Sequence, residues 1–250
     1  MAMEIKDLLD YTGQLLEAGR FRDYCPNGLQ VEGCRQVQRI VSGVSACQDL
    51  IEAAAEAGAD TLLVHHGWFW KSEDARVAGI KRNRIKLLLA HDINLVAYHL
   101  PLDAHPELGN NAQLARRLGL RVDDWFGEQQ IAAYGGLKEP MPLQGFASRI
   151  AIALQRPPLV IGDGSKSINR IAWCSGAAQD MLEQAVDLGV DAFLTGEVSE
   201  RTVHLARETG IAFIAAGHHA TERYGVQALG EHLAERFGLD HQFIDIDNPV

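Results

Sequence analysis

An internal repeat is the feature that most constrains how this chain can fold. When residues 39–60 are shifted by 131 positions onto residues 170–191, nine of the 22 aligned residues are identical without a gap. Ordinary amino-acid composition would give about one or two identities by chance, so a repeated structural unit is the better explanation. The sequence therefore predicts two copies of one unit, a first domain over residues 1–125 and a second over residues 126–250.

Each copy alternates short apolar runs with amphipathic segments. Strands are predicted over residues 40–44, 61–64, 94–98, 171–174, 192–195 and 212–215, and helices over residues 48–57, 80–90, 111–118, 181–188, 200–208 and 219–237. This alternation indicates an α/β fold of two similar domains, with mainly parallel sheets flanked by helices and a metal cleft between the copies. A helix over residues 4–17, edge strands over residues 131–137, 159–161 and 242–246, and a domain boundary within residues 121–130 complete the prediction.

Composition excludes several classes of protein. The formal net charge of −10 argues against sequence-independent DNA binding, which needs clustered Lys and Arg. No run of about eighteen apolar residues is present, and charged residues interrupt the first 19 positions, so we expect a cytoplasmic protein that does not span a membrane. No phosphate-binding loop and no serine-hydrolase elbow occurs. The cysteines have no paired metal spacing and are predicted to be reduced, packed thiols: Cys25, Cys34, Cys47 and Cys174.

Histidines and carboxylates cluster just after three of the predicted strands. The carboxyl ends of parallel strands share one edge of a sheet, where open α/β proteins bind their ligands. His218 and Glu222 are four residues apart at a predicted helix start and therefore share a face of that helix. Imidazole and carboxylate together suit zinc, iron, manganese or nickel, so we predict a metal site. The residues in this pattern are His65, His66, His99, Asp103, His218, His219 and Glu222.

The number of these side chains exceeds the need of one metal ion. A catalytic zinc takes about three protein ligands and leaves a position for water. Three of these histidines with the two carboxylates suit two ions a few ångströms apart, bridged by a carboxylate and by water. Such ions lower the pKa of that water and polarise a substrate. We predict that His99 passes a proton between the nucleophile and the leaving group, with orientation of a ligand as the alternative.

Other polar residues leave two interpretations open. Residues 26–33 are turn-rich and either cap the first helix or line the cleft. Glu197 either faces the metals or precedes a helix that Ser199 and Glu200 begin. The remaining histidines are predicted to form structural hydrogen bonds or are left undecided; the first group is His91, His204, His232 and His241, and the second is His105 and His219.

Five motifs spread over nearly the whole chain occur together. They are residues 27–30 (Asn-Gly-Leu-Gln), 65–67 (His-His-Gly), 99–103 (His-Leu-Pro-Leu-Asp), 196–197 (Gly-Glu) and 217–222 (Gly-His-His-Ala-Thr-Glu). Together they resemble the dinuclear-metal-centre hexameric family, the GTP cyclohydrolase 1 type 2 homologues, and especially its shorter bacterial members. The resemblance implies a toroidal homohexamer, a trimer of dimers, with two divalent metal ions (zinc, iron or manganese) per subunit. The ligands that it implies are His65, His66, Asp103, His218 and Glu222. His218 is preferred to His219 because the family's histidine lies four residues before the glutamate.

Three functions follow as hypotheses. The leading one is a metal-dependent hydrolase in which a metal-activated hydroxide opens the guanine imidazole ring of a purine nucleotide, intact or damaged, with release of formate. The second is a ring-shaped scaffold that holds nucleic acid in its channel, which needs a basic lumen and is disfavoured by the net charge of −10. The third is a metallophosphoesterase or peptidase that uses the same metal centre.

Overall fold

The computed structural model describes residues 3–250 and divides them into two compact units. Unit 1 contains the described residues up to Leu102 together with Gly225–Asp247, and unit 2 contains Asp103–Tyr224 together with Asn248–Val250. The strands are β1 (Met3–Glu4), β2 (Gly28–Val31), β3 (Gln36–Val37), β4 (Arg39–Ser45), β5 (Thr61–His66), β6 (Asn94–Ala97), β7 (Leu120–Phe126), β8 (Ala132–Pro142), β9 (Leu159–Ile161), β10 (Ser167–Trp173), β11 (Ala192–Thr195), β12 (Ala212–Ala215) and β13 (Asp240–Phe243). The α-helices are α1 (Ile5–Leu15), α2 (Gln48–Glu56), α3 (Gly79–Ala90), α4 (Leu100–Ala104), α5 (Asn110–Leu118), α6 (Leu143–Leu154), α7 (Leu182–Asp187), α8 (Glu200–Thr209) and α9 (His218–Phe237). Among residues 3–250, no helix combines the length and the apolar character that crossing a membrane requires.

Unit 1 is built on a sheet with the strand order β13-β4-β5-β6-β2. The first four strands of this order are parallel, and β2 is antiparallel to β6. Successive residues of a strand point to opposite faces, and both faces of this sheet are covered. Leu62 packs in a cluster with Leu50 of α2, whereas its neighbour Leu63 lines a small cavity with Leu8 of α1 and Leu233 of α9. The continuous apolar character of β5 therefore reflects burial on both sides.

Unit 2 is built on a sheet with the order β7-β8-β10-β11-β12-β9. Strands β10, β11 and β12 are parallel, and the other pairings are antiparallel, so this sheet is mixed rather than mainly parallel. Leu194 on one face belongs to a cluster with Leu114 of α5 and Phe146 of α6. Phe193 on the opposite face packs with Leu182 of α7. The predicted α/β class is confirmed in both units.

The segments that align in the repeat have matching local structure. The Asp60 carboxylate accepts hydrogen bonds from the backbone N–H groups of residues 38 and 39, at 2.7 and 2.8 Å. Asp191, which aligns with Asp60, accepts the same two bonds from residues 169 and 170, at 2.8 and 2.9 Å. Each aspartate therefore lies just before one strand and binds the backbone of the neighbouring strand, β4 for Asp60 and β10 for Asp191. The helix preceding each aspartate is followed by a glycine with positive φ, Gly58 at 68° and Gly189 at 64°, a conformation that strains other residues.

Three elements of unit 2 differ from the prediction. The polar residues 121–130, expected as a domain boundary, contain most of β7, which pairs with β8. Because β7 is an edge strand whose residues 121–124 are exposed, its composition resembles that of a linker. Strand β8, expected at an edge, consequently lies inside the sheet. Helix α6 was not predicted, although Leu143, Phe146, Ile150 and Leu154 form a buried helical stripe.

The bounds of the compact units also differ from the ranges 1–125 and 126–250. Helix α5 contributes Leu114 and Leu118 to the core of unit 2, and β7 joins that unit's sheet. Later in the chain, β13 pairs with β4 of unit 1. Unit 2 therefore begins earlier than the repeat suggested, and the C-terminal part of the chain belongs largely to unit 1.

Candidate metal centre

Three histidines of unit 1 lie together where two parallel strands end. His65 and His66 are the last two residues of β5, and His99 follows β6. Their ring centroids are 4.6 Å apart for His65 and His66, 5.0 Å for His65 and His99, and 5.7 Å for His66 and His99. One nitrogen from each ring lies within 4.8 Å of the other two. Because β5 and β6 pair in parallel register, their carboxyl ends deliver all three imidazoles to one point.

Hydrogen bonds orient the first two of these rings. His65 is fully buried and donates from Nδ1 to the backbone carbonyl of Tyr98 at 2.9 Å, which places the lone pair of a neutral imidazole on Nε2. The Nδ1 of His66 lies 3.1 Å from the hydroxyl of Ser45 at the end of β4. Metal-binding histidines are commonly held in this way by their second ring nitrogen.

His99 is oriented by a buried carboxylate that the sequence did not reveal. Its Nδ1 donates to Asp23 Oδ1 at 2.7 Å, and its backbone N–H donates to the side chain of Asn27 at 2.8 Å. Burial on its own raises the pKa of Asp23, but hydrogen bonds and charge from His99, with further bonds from Asn27 and the Leu100 backbone, lower it to about 2. Asp23 is therefore ionised and fixes the direction of the His99 ring. Potential ligand atoms of Cys25, Asp23 and His99 lie within 4.8 Å of one another. Burial, and after it the charge of Asp23, raises the pKa of the Cys25 thiol to about 12.

Unit 2 contributes a histidine held between two carboxylates. His218 begins helix α9, and its Nε2 lies 3.2 Å from Glu222 Oε2, one turn later. Its Nδ1 lies 2.7 Å from Glu197 Oε1. Burial alone lowers the pKa of His218, but the hydrogen bonds and charges of Glu222 and Glu197 outweigh it and raise the pKa to about 9. Binding of a metal to His218 would therefore release a proton.

Two buried carboxylates of unit 2 lie close together. Asp103 is 7% exposed and Glu222 is 3% exposed, yet an oxygen of one lies within 4.8 Å of an oxygen of the other. Asp103 Oδ1 accepts hydrogen bonds from Asn110 at 2.9 Å and from the Ser175 hydroxyl at 3.1 Å. Like charges this close and this buried repel each other, and a shared proton or a neighbouring cation, such as protonated His218 beside Glu222 or a bound metal, offsets the repulsion. These carboxylates thus fit a divalent metal.

The remaining predicted residues have defined positions. The Glu197 carboxylate faces the His218 ring. Among residues 3–250, His218 belongs to a cluster of side chains that could bind a metal ion, and His219 does not. Residues 28–31 form β2 rather than a cap on the first helix. Nδ1 of His105 accepts the backbone N–H groups of residues 107 and 108. The structural histidines with side-chain hydrogen bonds are His204 to Glu200, His232 to Tyr11 and His241 to Ser42. All four cysteines are free.

The fold and these side-chain groups define an α/β protein whose clustered histidines and buried carboxylates suit divalent metal ions. Comparison with known proteins gives the family. The model of the Duf34/NIF3 (NGG1p interacting factor 3) family matches residues 3–249, and the chain belongs to this family. The resemblance found in the sequence is thereby confirmed.

Relatives with high identity carry one name. A protein of Pseudomonas aeruginosa, named GTP cyclohydrolase 1 type 2 homolog, is 57% identical over 253 residues, covering 100% of both chains. The protein of the same name from Escherichia coli K12 is 53% identical and covers 99% of this chain and 100% of its own. The solved structure of the protein ybgI has a TM-score of 0.96 at 52% identity, covering 99% of this chain and 100% of that one. A solved structure from Thermus thermophilus has a TM-score of 0.92 at 35% identity, with the same coverage.

Proposed function

We propose that this chain is a dinuclear metal-dependent hydrolase that opens the imidazole ring of a purine nucleotide. The observation that carries the proposal is the buried pair Asp103 and Glu222, whose oxygens are suited to a divalent cation, in a chain that also groups His65, His66 and His99 at two strand ends. The name of the relatives, GTP cyclohydrolase 1 type 2 homolog, supports a guanine nucleotide as the substrate.

The proposed ligands of the two divalent ions are those that the family resemblance implies: His65, His66, Asp103, His218 and Glu222. Zinc, iron and manganese all accept this set of nitrogen and oxygen donors. When bound, the ions would supply Lewis acidity and lower the pKa of a water molecule into the neutral range. The Glu197 carboxylate would hold the His218 ring in place through Nδ1.

His99 is the proposed proton carrier. The ionised Asp23 accepts a hydrogen bond from Nδ1–H of His99. The other ring nitrogen, Nε2, can therefore take a proton from a nucleophile and return it to a leaving nitrogen. Ring opening consumes one water to break a bond from C8 of the base to nitrogen, and a second water releases C8 as formate. The first step places both protons of the water on nitrogen, one on N7 and one on N9, and the second step places one proton on the leaving nitrogen. A single positioned imidazole can carry these protons one at a time.

The proposal is tested by turnover of GTP with defined metals. Protein depleted of metal and then loaded with zinc, iron or manganese should release formate from GTP and yield the ring-opened product, while depleted protein should not. Formate is measured enzymatically, and the product by mass spectrometry. Turnover that fails with all three metals would remove GTP as the substrate. Parallel panels of phosphodiesters and peptides would then detect the other hydrolase activities.

A further inference from the structure

The segment that follows the two histidines of β5 is rich in large aromatic side chains. Trp68, Phe69 and Trp70 come directly after Gly67. The Trp70 ring centroid is 5.0 Å from that of His99, with the planes at 87°, and 6.1 Å from that of His66. A fourth aromatic, Tyr24, lies 6.4 Å from His99 and is 61% exposed. The candidate site in unit 1 is therefore bordered by aromatic rings.

The backbone of this segment is strained in a way that positions Trp70. Phe69 has φ of 63°, a left-handed conformation that costs a bulky residue free energy. The Glu73 carboxylate maintains it by accepting the backbone N–H groups of Phe69 at 2.7 Å and Trp70 at 3.2 Å. Lys81 lies 3.3 Å from Glu73 and 4.7 Å from the centroid of the Phe69 ring. Strain that is held by so many contacts is typical of functional segments.

The Trp70 segment is also fixed on its two sides. The indole N–H of Trp68 donates to the carbonyl of Ala46 at 3.0 Å, so Trp68 anchors the turn in the core. The backbone N–H of Lys71 donates to the carbonyl of Tyr24 at 2.8 Å. This bond joins the two loops that carry Trp70 and Tyr24. Both aromatic rings are thus pre-positioned beside His99, which lowers the entropy lost when a ligand binds.

We propose that Trp70, assisted by Tyr24, is the base-recognition element of this protein, stacking on the planar ring of a purine. A partly exposed indole next to catalytic imidazoles is suited to this because every base has a π-face, and stacking on an aromatic side chain selects for a planar heteroaromatic ligand. The inference rests on the proposed function, since it assigns the base-binding part of the same site. It accounts for the strain at Phe69, which the metal chemistry does not require.

The test measures binding rather than turnover. The probe is 7-deaza-GTP, in which carbon replaces N7, so that C8 is no longer bonded to two nitrogens and resists attack by water; inorganic triphosphate is the probe without a base. Titration calorimetry on zinc-loaded protein should give tighter binding for 7-deaza-GTP than for triphosphate. Trp70→Leu should weaken binding of 7-deaza-GTP by about 5- to 150-fold, the range for loss of one stacked base, and leave binding of triphosphate unchanged. Trp125→Leu, a tryptophan of β7 in the other unit, is the matched control and should bind both probes as the wild type does.

A spectroscopic readout separates stacking from a general structural effect. In Trp70→Phe the ring that stacks is retained, so affinity for 7-deaza-GTP should stay within a few-fold of wild type, while quenching of tryptophan fluorescence by the base should largely disappear. Equal affinity of wild type and Trp70→Leu for 7-deaza-GTP, an equal loss for triphosphate, or no preference for the base in the wild type would each overturn the inference. Formate release from GTP tests the proposed function independently of these outcomes.

Discussion

At the scale of single residues, Glu222 is the ligand whose loss we expect to cost most metal. A carboxylate can bind two cations with its two oxygens, whereas an imidazole binds one. Glu222→Gln should therefore remove one or both ions per chain, counted by elemental analysis of purified protein. Glu208→Gln, which changes an exposed glutamate of α8, is the control and should keep both. A full complement of metal in Glu222→Gln would show that the bridge is assigned to the wrong residue.

Removal of the His66 side chain should cost the protein less bound metal than removal of the Glu222 carboxylate. Its imidazole offers one nitrogen to one ion, because Nδ1 lies against the Ser45 hydroxyl. In His66→Ala we expect chains with one ion to outnumber chains with none, as measured by metal content and by native mass spectrometry. Complete loss of both ions would indicate that the two sites cannot be filled separately.

His99 should affect rate rather than metal content. Its ring lies beside His65 and His66, and Asp23 accepts a hydrogen bond from its Nδ1, so Nε2 is the nitrogen that we propose exchanges a proton. We predict that His99→Ala retains both ions and slows turnover by about 10²- to 10⁴-fold, the usual effect of losing a general acid–base. Loss of metal in this variant would instead make His99 a ligand.

The strand-end residues of the candidate site were predictable from sequence, and their partners were not. His65, His66 and His99 follow apolar runs, and the parallel sheet dictates that such ends meet. Asp23 lies in the segment between α1 and β2 and comes near His99 only through tertiary contacts. No local pattern distinguishes it from an ordinary loop aspartate.

At the scale of elements, strand β13 carries a histidine whose burial links folding to pH. His241 is hydrogen-bonded to Ser42 of β4 at 2.8 Å. Burial lowers its pKa below the ordinary value of 6.5 and outweighs the raising effect of Glu231. Between the folded and unfolded pKa values the unfolded chain binds more protons, so the stability contribution is present above about pH 6.5 and is lost as the pH falls below it.

This linkage is measurable by urea unfolding at about pH 7.5, 6.5 and 5.5, values that span the ordinary pKa of histidine. A chelator should be present so that metal release does not contribute. Wild type should lose more unfolding free energy between the highest and the lowest of these pH values than His241→Asn, because asparagine does not titrate. An equal loss in both proteins would mean that His241 is not the group responsible.

Elements were predictable where burial imposes a pattern. Strands β11 and β12 were predicted with the bounds observed, because fully buried strands are short apolar runs between turns. Strand β7 was mistaken for a boundary because its exposed residues are polar, and exposure on an edge removes the periodic signal. The alternation of elements also gave the α/β class, but it could not show that α5 and β7 belong to unit 2, since that depends on which core they pack against.

At the scale of the whole molecule, the family resemblance predicts a homohexamer, a trimer of dimers. Six chains of 27.4 kDa correspond to about 164 kDa, which light scattering coupled to size exclusion resolves from smaller species. A closed ring leaves no free interface, so the mass should not change over micromolar concentrations. A monomer under these conditions would count strongly against the predicted assembly.

The central claim is that each chain binds two divalent ions through the proposed ligands His65, His66, Asp103, His218 and Glu222. Its most direct test is calorimetric titration of metal-depleted protein with zinc, confirmed by elemental analysis after removal of excess metal. We predict two ions per chain in the wild type, and fewer than two both in His65→Ala of unit 1 and in Asp103→Asn of unit 2. A wild type that binds one ion or none, or a full complement of two in either variant, would contradict the account.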